Sequence, residues 1–319
     1  QFAKYRIENI PEDYCTSTTI SIAPNFENAR DSHAFGGEVA WLDNIPARVI
    51  PTLKNVEDIE RFEIPEPDAG LWGTALEWWA EMTDLARETK VTIGGQEGRI
   101  DIAPLAMNGL GPFSIAVDLV GEDFFWWLME FPQACHKLLD KIAKGMLGAE
   151  ANFQKVDPRP RTEYQISEDS AQLASSGIFQ KFCVPYVTQL YALGGHGLSD
   201  GRGMHLCGNS THLHESLLND LHVTHLKNFG YEVEPEDAAA NLGGKVYLLG
   251  NVDPMLMLNG PKEEIKQVAK ERIEVLGPLG GYVLSDGGAV CPGTPVEHVG
   301  ALVEAAEEYG PLEVLPRVS

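Results

Sequence analysis

His205-Leu206-Cys207 is the sharpest chemical feature of the chain. In an extended strand, residues i and i+2 point to the same face, so this spacing sets an imidazole beside a thiol, two atoms competent to hold a metal ion. Gly208-Asn209 follows at once, which places the pair at the C-terminal end of a strand, the edge where α/β barrels build their sites. Taken alone, a His-x-Cys pair is also what two buried core residues leave in a sequence. Cys291 changes that balance. It stands in SDGGAVCPG, just after the last strand-like run, and a count of successive strands puts Cys207 and Cys291 three strands apart across one barrel mouth. Two thiolates and an imidazole select zinc over Mg²⁺ or Ca²⁺. Three protein ligands leave the fourth tetrahedral position to a substrate, the arrangement of a catalytic site.

Carboxylates stand near the same strand ends: Glu168, Asp169, Glu232, Asp253 and Asp286. Asp169, Glu232 and Asp286 are the acids expected to move protons or orient ligands there, each against the plainer role of capping a loop or helix. Histidines at 205, 212, 214, 222 and 225 crowd a short stretch. They do not read as one cluster. His212 and His214, two apart on a helix, diverge by about 200°, and His222 falls in a turn, so only His225 on the next strand is within reach. The glycines at 194, 195, 197, 201 and 203 precede a strand and lack the spacing of a dinucleotide loop.

The elements that must carry these residues are short apolar runs alternating with amphipathic ones. Strand-like runs lie at 102–107, 163–166, 203–206, 223–229, 245–249 and 282–284, with further candidates at 18–22 and 47–51. Helix-like segments lie between them. In 261–276 the residues Ile265, Val268, Ala269, Ile273 and Leu276 form one stripe, with Pro261 at the start and Gly277 at the stop. Thr294, Pro295 and Glu297 spell a capping box that opens the last helix, and Gly310 closes it. Such alternation predicts parallel strands in a single (β/α)8 TIM-type barrel spanning 1–319, with 1–100 including a lid-like N-terminal decoration. An open doubly wound sheet is the alternative. The aromatic run Phe124-Phe125-Trp126-Trp127 reads as core.

Composition narrows the partners. Asp and Glu number 47 against 24 Lys and Arg, a net charge of −23 that repels phosphate backbones and argues against nucleic acid. No apolar stretch is long enough for a membrane span. Five scattered cysteines and a start without a basic-then-apolar signal point to a reduced, cytoplasmic chain, so the sequon Asn209-Ser210-Thr211 reads as chance. The chain begins without Met, as a piece of a longer protein would.

Five landmarks, GPFSIAVDLVGEDFFWWLMEFP at 111–132, SEDSAQLASSGIFQKFCVPY at 167–186, HLCGN at 205–209, GNVDP at 250–254 and CPGTPVEHVGALVEA at 291–305, resemble the uroporphyrinogen decarboxylase superfamily. That superfamily of (β/α)8 barrels also holds zinc-dependent corrinoid methyltransferases, and His205, Cys207 and Cys291 are similar to the zinc motif of that branch. The resemblance implies that zinc activates a thiol such as coenzyme M towards a methylated corrinoid, or polarises the oxygen of a methyl ether or methanol-type donor while reduced corrinoid takes the methyl group. Aromatics at 121–132 with Trp72, Trp78 and Trp79 suit an apolar methyl ether pocket and tilt the expectation to the substrate-to-corrinoid step, an O-demethylation. The cobalamin is expected on a separate corrinoid protein rather than on a cobalt-ligating Asp-x-His-x-x-Gly loop of this chain. The alternative activity is a metal-free decarboxylase. Its relatives grip a polycarboxylate with an arginine-rich N-terminal segment, whereas this chain has Arg6, Arg30 and Arg48 in its first sixty residues. A barrel that only binds would have no need of the three ligand positions.

Overall fold

The computed structural model describes residues 18–310 apart from 44, 94, 162 and 194–200, so Arg6, Cys15 and the glycines at 194, 195 and 197 lie outside the described residues. Eleven strands are described: β1 Thr19–Ile22, β2 Glu38–Ala40, β3 Arg48–Ile50, β4 Val91–Ile93, β5 Gln96–Ile102, β6 Gly109–Leu110, β7 Glu163–Ser167, β8 Gly201–His205, β9 His225–Lys227, β10 Tyr247–Val252 and β11 Tyr282–Asp286.

β6 to β11 form one six-stranded sheet in unbroken chain order, every pair parallel. Each link between them carries at least one helix, for example Pro112–Val120 and Pro132–Val156 between β6 and β7, or Lys262–Leu276 between β10 and β11. A doubly wound sheet reverses its strand order at a switch point, and this sheet has no reversal. Monotonic order brings all six C-terminal strand ends to one edge, where the loops holding Asp169, Cys207, Glu232, Asp286 and Cys291 emerge.

The two N-terminal runs do not join this sheet. β1 pairs in parallel with β5, which pairs antiparallel with β4, and β3 forms an antiparallel hairpin with β2. The run at 102–107 is not a strand after residue 102 either. Its amides are taken by side chains instead of a neighbouring strand: Leu105 donates to Asp157 at 3.0 Å and Met107 to Glu150 at 2.8 Å. The extended backbone is satisfied without a ladder.

The Lys262–Leu276 helix buries Ile265, Ala269, Ile273 and Leu276 as its period predicts. The capping box does not form. The last helix runs Val296–Tyr309 with no side-chain cap, because Thr294 turns back and donates its hydroxyl to the Cys291 carbonyl at 2.8 Å. Phe124 and Trp127 are core, Phe124 meeting Phe113 edge-on at 5.4 Å, while Trp126 is exposed. No helix of the described residues is long and apolar enough to cross a membrane.

Candidate metal centre and adjoining cavity

His205 ends β8, in register with Ser167 of β7 and Lys227 of β9. Its Nδ1 lies 2.7 Å from the Lys227 carbonyl, which can only accept, so Nδ1 carries the proton and Nε2 is left for a ligand. Nε2 lies 3.3 Å from Cys207 Sγ and 3.1 Å from Asp169 Oδ1. One ligand atom from each of Asp169, His205 and Cys207 falls within 4.8 Å of the others. Burial disfavours a charged imidazole, but the bonds to Asp169 and Cys207 outweigh it and push His205 up to about 10. Burial likewise opposes the Asp169 anion, and its bond to His205 more than offsets this, holding the carboxyl below its ordinary range. A metal at Nε2 must displace a tightly held proton, so its affinity rises with pH.

The other expected residues are placed differently. Cys291 is half-buried on the loop after β11 and is not in this group. Asp286 organises that loop: its side chain accepts from the Gly288 amide at 3.1 Å and Asn228 Nδ2 at 3.3 Å. Glu232 is exposed. Asp253 caps Pro254–Asn259 by accepting from the Met255 amide at 2.7 Å. His225 begins β9, away from the strand-end cluster, stacked on Tyr247 at 4.9 Å. His212 bonds the Ala174 carbonyl at 2.9 Å, and burial drives His214 down to about 4, a neutral core residue. His222 has a positive φ of 53°.

Beside the cluster opens a cavity of about 280 Å³ lined by polar Asn28, Arg48, Ser114, Asp118, Asp169 and Ser170, with apolar atoms from Ala47, Val49 and Leu110. Sequence reading missed Arg48 and Asp118 as site residues. Asp118 leaves one signal, being the one charged residue in the helix PFSIAVDLV. Its Oδ2 accepts from Ser32 Oγ at 2.6 Å. Burial pushes its carboxyl up to about 6, the Ser32 bond pulling the other way and the Asp169 charge adding to the rise. The tryptophans expected in the pocket are elsewhere: Trp72 is buried and donates to Asp31 at 3.0 Å, Trp79 donates to the Ala103 carbonyl at 3.0 Å, and Trp78 lies against Phe26.

The sequence model described as uroporphyrinogen decarboxylase (URO-D) matches residues 29–309. The chain belongs to the URO-D family. Among its relatives, the uroporphyrinogen decarboxylase of Danio rerio is 30% identical over 195 residues, 57% of this chain and about half (49%) of that protein's length. The methylcobamide:CoM methyltransferase MtbA of Methanosarcina mazei is 23% identical over 278 residues, 84% of this chain and 73% of that protein. A solved methyltransferase from Methanosarcina mazei superposes with a TM-score of 0.68 at 20% identity, covering 97% of this chain and 83% of that one, which shows a shared fold.

One stretch of this URO-D chain, Asp31-Ser32-His33-Ala34-Phe35-Gly36, does spell Asp-x-His-x-x-Gly. The structure gives it another use. Asp31 is buried against Trp72 and Arg30, and His33 lies in the short helix Ala29–Ala34, so close to Gly70 that a Cβ there would fall 2.5 Å from its Nδ1.

Glu168, next to Asp169, points inward and caps the buried N-terminus of Pro112–Val120, accepting from Phe113 at 3.2 Å and Ser114 at 2.9 Å. Gly111 is required there, since a Cβ would sit 2.2 Å from Glu168 Oε1. Burial pushes Glu168 up to about 7 despite those two amides. The folded chain therefore holds this proton more tightly than the unfolded one, and the Glu168 contribution to stability falls as pH rises from 4.5 to about 7. In urea unfolding at pH 5 and pH 8, Glu168→Gln is expected to remove that loss, and Glu168→Ala, which orphans two buried amides, to cost about 3 kcal/mol. An alanine variant as stable as the native chain would refute the capping role.

Proposed function

We propose that the protein is a zinc-dependent methyltransferase acting between a small thiol or methyl donor and a corrinoid carried on a partner protein, with His205, Cys207 and Cys291 as the metal ligands. The convergence of His205 Nε2, Cys207 Sγ and Asp169 at one strand edge, with Nε2 freed by the Nδ1 bond to Lys227, carries this reading. The donor set suits zinc. On this reading the six-stranded sheet is the larger part of a closed (β/α)8 barrel, the single domain of the chain, and part of residues 1–100 covers its mouth. A zinc ion held there supplies Lewis acidity that keeps a sulfur deprotonated at neutral pH.

Asp169 is the carboxylate we assign to the site: it stays ionised, holds the His205 ring by accepting from it, and leaves the proton that a metal displaces to pass to solvent. Asp286 holds the Cys291 loop, and Glu232 is too exposed to be assigned proton transfer. The polar cavity favours the thiol-acceptor direction over the methyl ether expected from the aromatics, and a relative that is a methylcobamide:CoM methyltransferase supports the same direction. In that direction an S–CH3 bond forms as a Co–CH3 bond breaks, the bonding pair stays on cobalt and the thiol proton is released. The partner protein presents its cofactor at the C-terminal strand edge.

Elemental analysis of the native chain against His205→Ala and Cys291→Ala, followed by methylcobalamin assays with thiols, tests this. About one zinc per chain, lost in both variants, is the expected result. Relatives named uroporphyrinogen decarboxylase favour a second reading. Against it, Arg48 is the one cation lining the described cavity, a poor grip for a polycarboxylate. Porphyrinogen turnover by a chain that takes up no zinc on reconstitution would establish the decarboxylase instead.

A further inference from the structure

We propose that the cavity beside His205 and Cys207 selects an amino-acid-type thiol, with the ligand's ammonium on Asp118 and its carboxylate on Arg48. This rests on the reading that a thiol is a reactant and adds which thiol it is. Two charged groups of opposite sign line the same small cavity and do not pair with each other. Arg48, on the exposed strand β3, makes no hydrogen bond or ion pair among the described residues. Among the described residues Asp118 takes one hydrogen bond, from Ser32 to Oδ2, and has no ion pair with a cation. A carboxylate withdrawn from water in an otherwise uncharged helix is costly unless something neutralises it, and an incoming ammonium would do so. Asp169 adds a second negative charge to the same lining.

The candidate ligands differ in what they leave unmatched. A sulfonate or carboxylate thiol without an amine satisfies Arg48 and meets two carboxylates of its own sign. An amine thiol without an acid satisfies Asp118 and leaves the guanidinium open. A zwitterionic thiol matches both, and its sulfur is then free to reach towards His205 and Cys207, since Asp169 belongs to both the lining and the cluster. A volume of about 280 Å³ is at the small end for ligand pockets and suits a molecule of that size.

The test is calorimetric titration of the zinc-loaded protein with homocysteine, 4-mercaptobutyrate and 2-mercaptoethanesulfonate. Homocysteine is expected to bind at least about tenfold more tightly than 4-mercaptobutyrate, which has the same thiol, chain and carboxylate without the ammonium. Asp118→Asn is expected to erase that preference. Arg48→Gln is expected to weaken homocysteine and 4-mercaptobutyrate alike by about tenfold. Because Arg48 lies on an exposed strand, its variant keeps the test decisive should Asp118→Asn misfold. Equal binding of all three thiols, unchanged by either substitution, overturns the inference. Cobalt(II) in place of zinc separates the two claims: sulfur-to-cobalt absorption with every thiol and no charge preference sinks the selectivity alone, whereas no spectral change with any thiol sinks the methyl-transfer reading and the selectivity with it.

Discussion

Cys207→Ser is expected to lower zinc affinity on the order of a thousandfold and to abolish methyl transfer, while thermal unfolding stays within a few degrees of the native chain. Sγ of Cys207 is half-buried and contacts His205 Nε2 at 3.3 Å, and no core packing depends on it. A hydroxyl fills nearly the same volume but does not ionise at neutral pH, so it cannot replace a thiolate. Competition against a chromophoric chelator measures the affinity, and turnover with methylcobalamin measures the activity. Native-like zinc binding by the serine variant would remove Cys207 from the site.

Cys291→Ser carries the second large effect and decides the third ligand. In this structure Asp169, not Cys291, completes the group around His205 Nε2. If the Cys291 loop swings in to ligate, Cys291→Ser loses zinc on the order of a hundredfold or more, and Asp169→Asn keeps zinc within about tenfold, as expected for a carboxylate beside the ion that is not one of its ligands. We expect that result. The loop is suited to such a movement, since Thr294 ties the Cys291 carbonyl locally rather than to the barrel. The reverse pattern, zinc lost with Asp169→Asn and kept with Cys291→Ser, would make the site one of Asp169, His205 and Cys207.

The side-by-side placement of His205 and Cys207 was legible because it is local: two residues at i and i+2 at a strand end need no knowledge of the rest of the chain. The run of parallel strands was legible for the same reason, each being a short apolar segment with its own stops. The cavity was not. Its lining comes from residues 28, 47–49, 110, 114, 118 and 169–170, and no period in the sequence announces that β3, a helix and a loop will share a wall. The segment after Ile102 misled because its apolar residues look like a strand, while the groups that satisfy its amides, Glu150 and Asp157, stand some fifty residues away. The capping box failed for a subtler cause. The helix begins at Val296 with Pro295 in the cap position, so Thr294 lies one residue too early to cap it, and its hydroxyl donates to the Cys291 carbonyl.

The partner that sets the His205 tautomer is a main-chain carbonyl, that of Lys227 in the neighbouring strand. Every amino acid has one. Position 227 can therefore change its side chain, giving up its ion pair with Glu163, in the course of divergence or at an engineer's hand, and the imidazole will still be aimed the same way. The aim of the ligand is inherited with the sheet register, not with a second residue that must be kept alongside it. If the proposed function holds, redesigning the cavity for a new methyl acceptor becomes a problem of the lining alone, with Nε2 of His205 held in place.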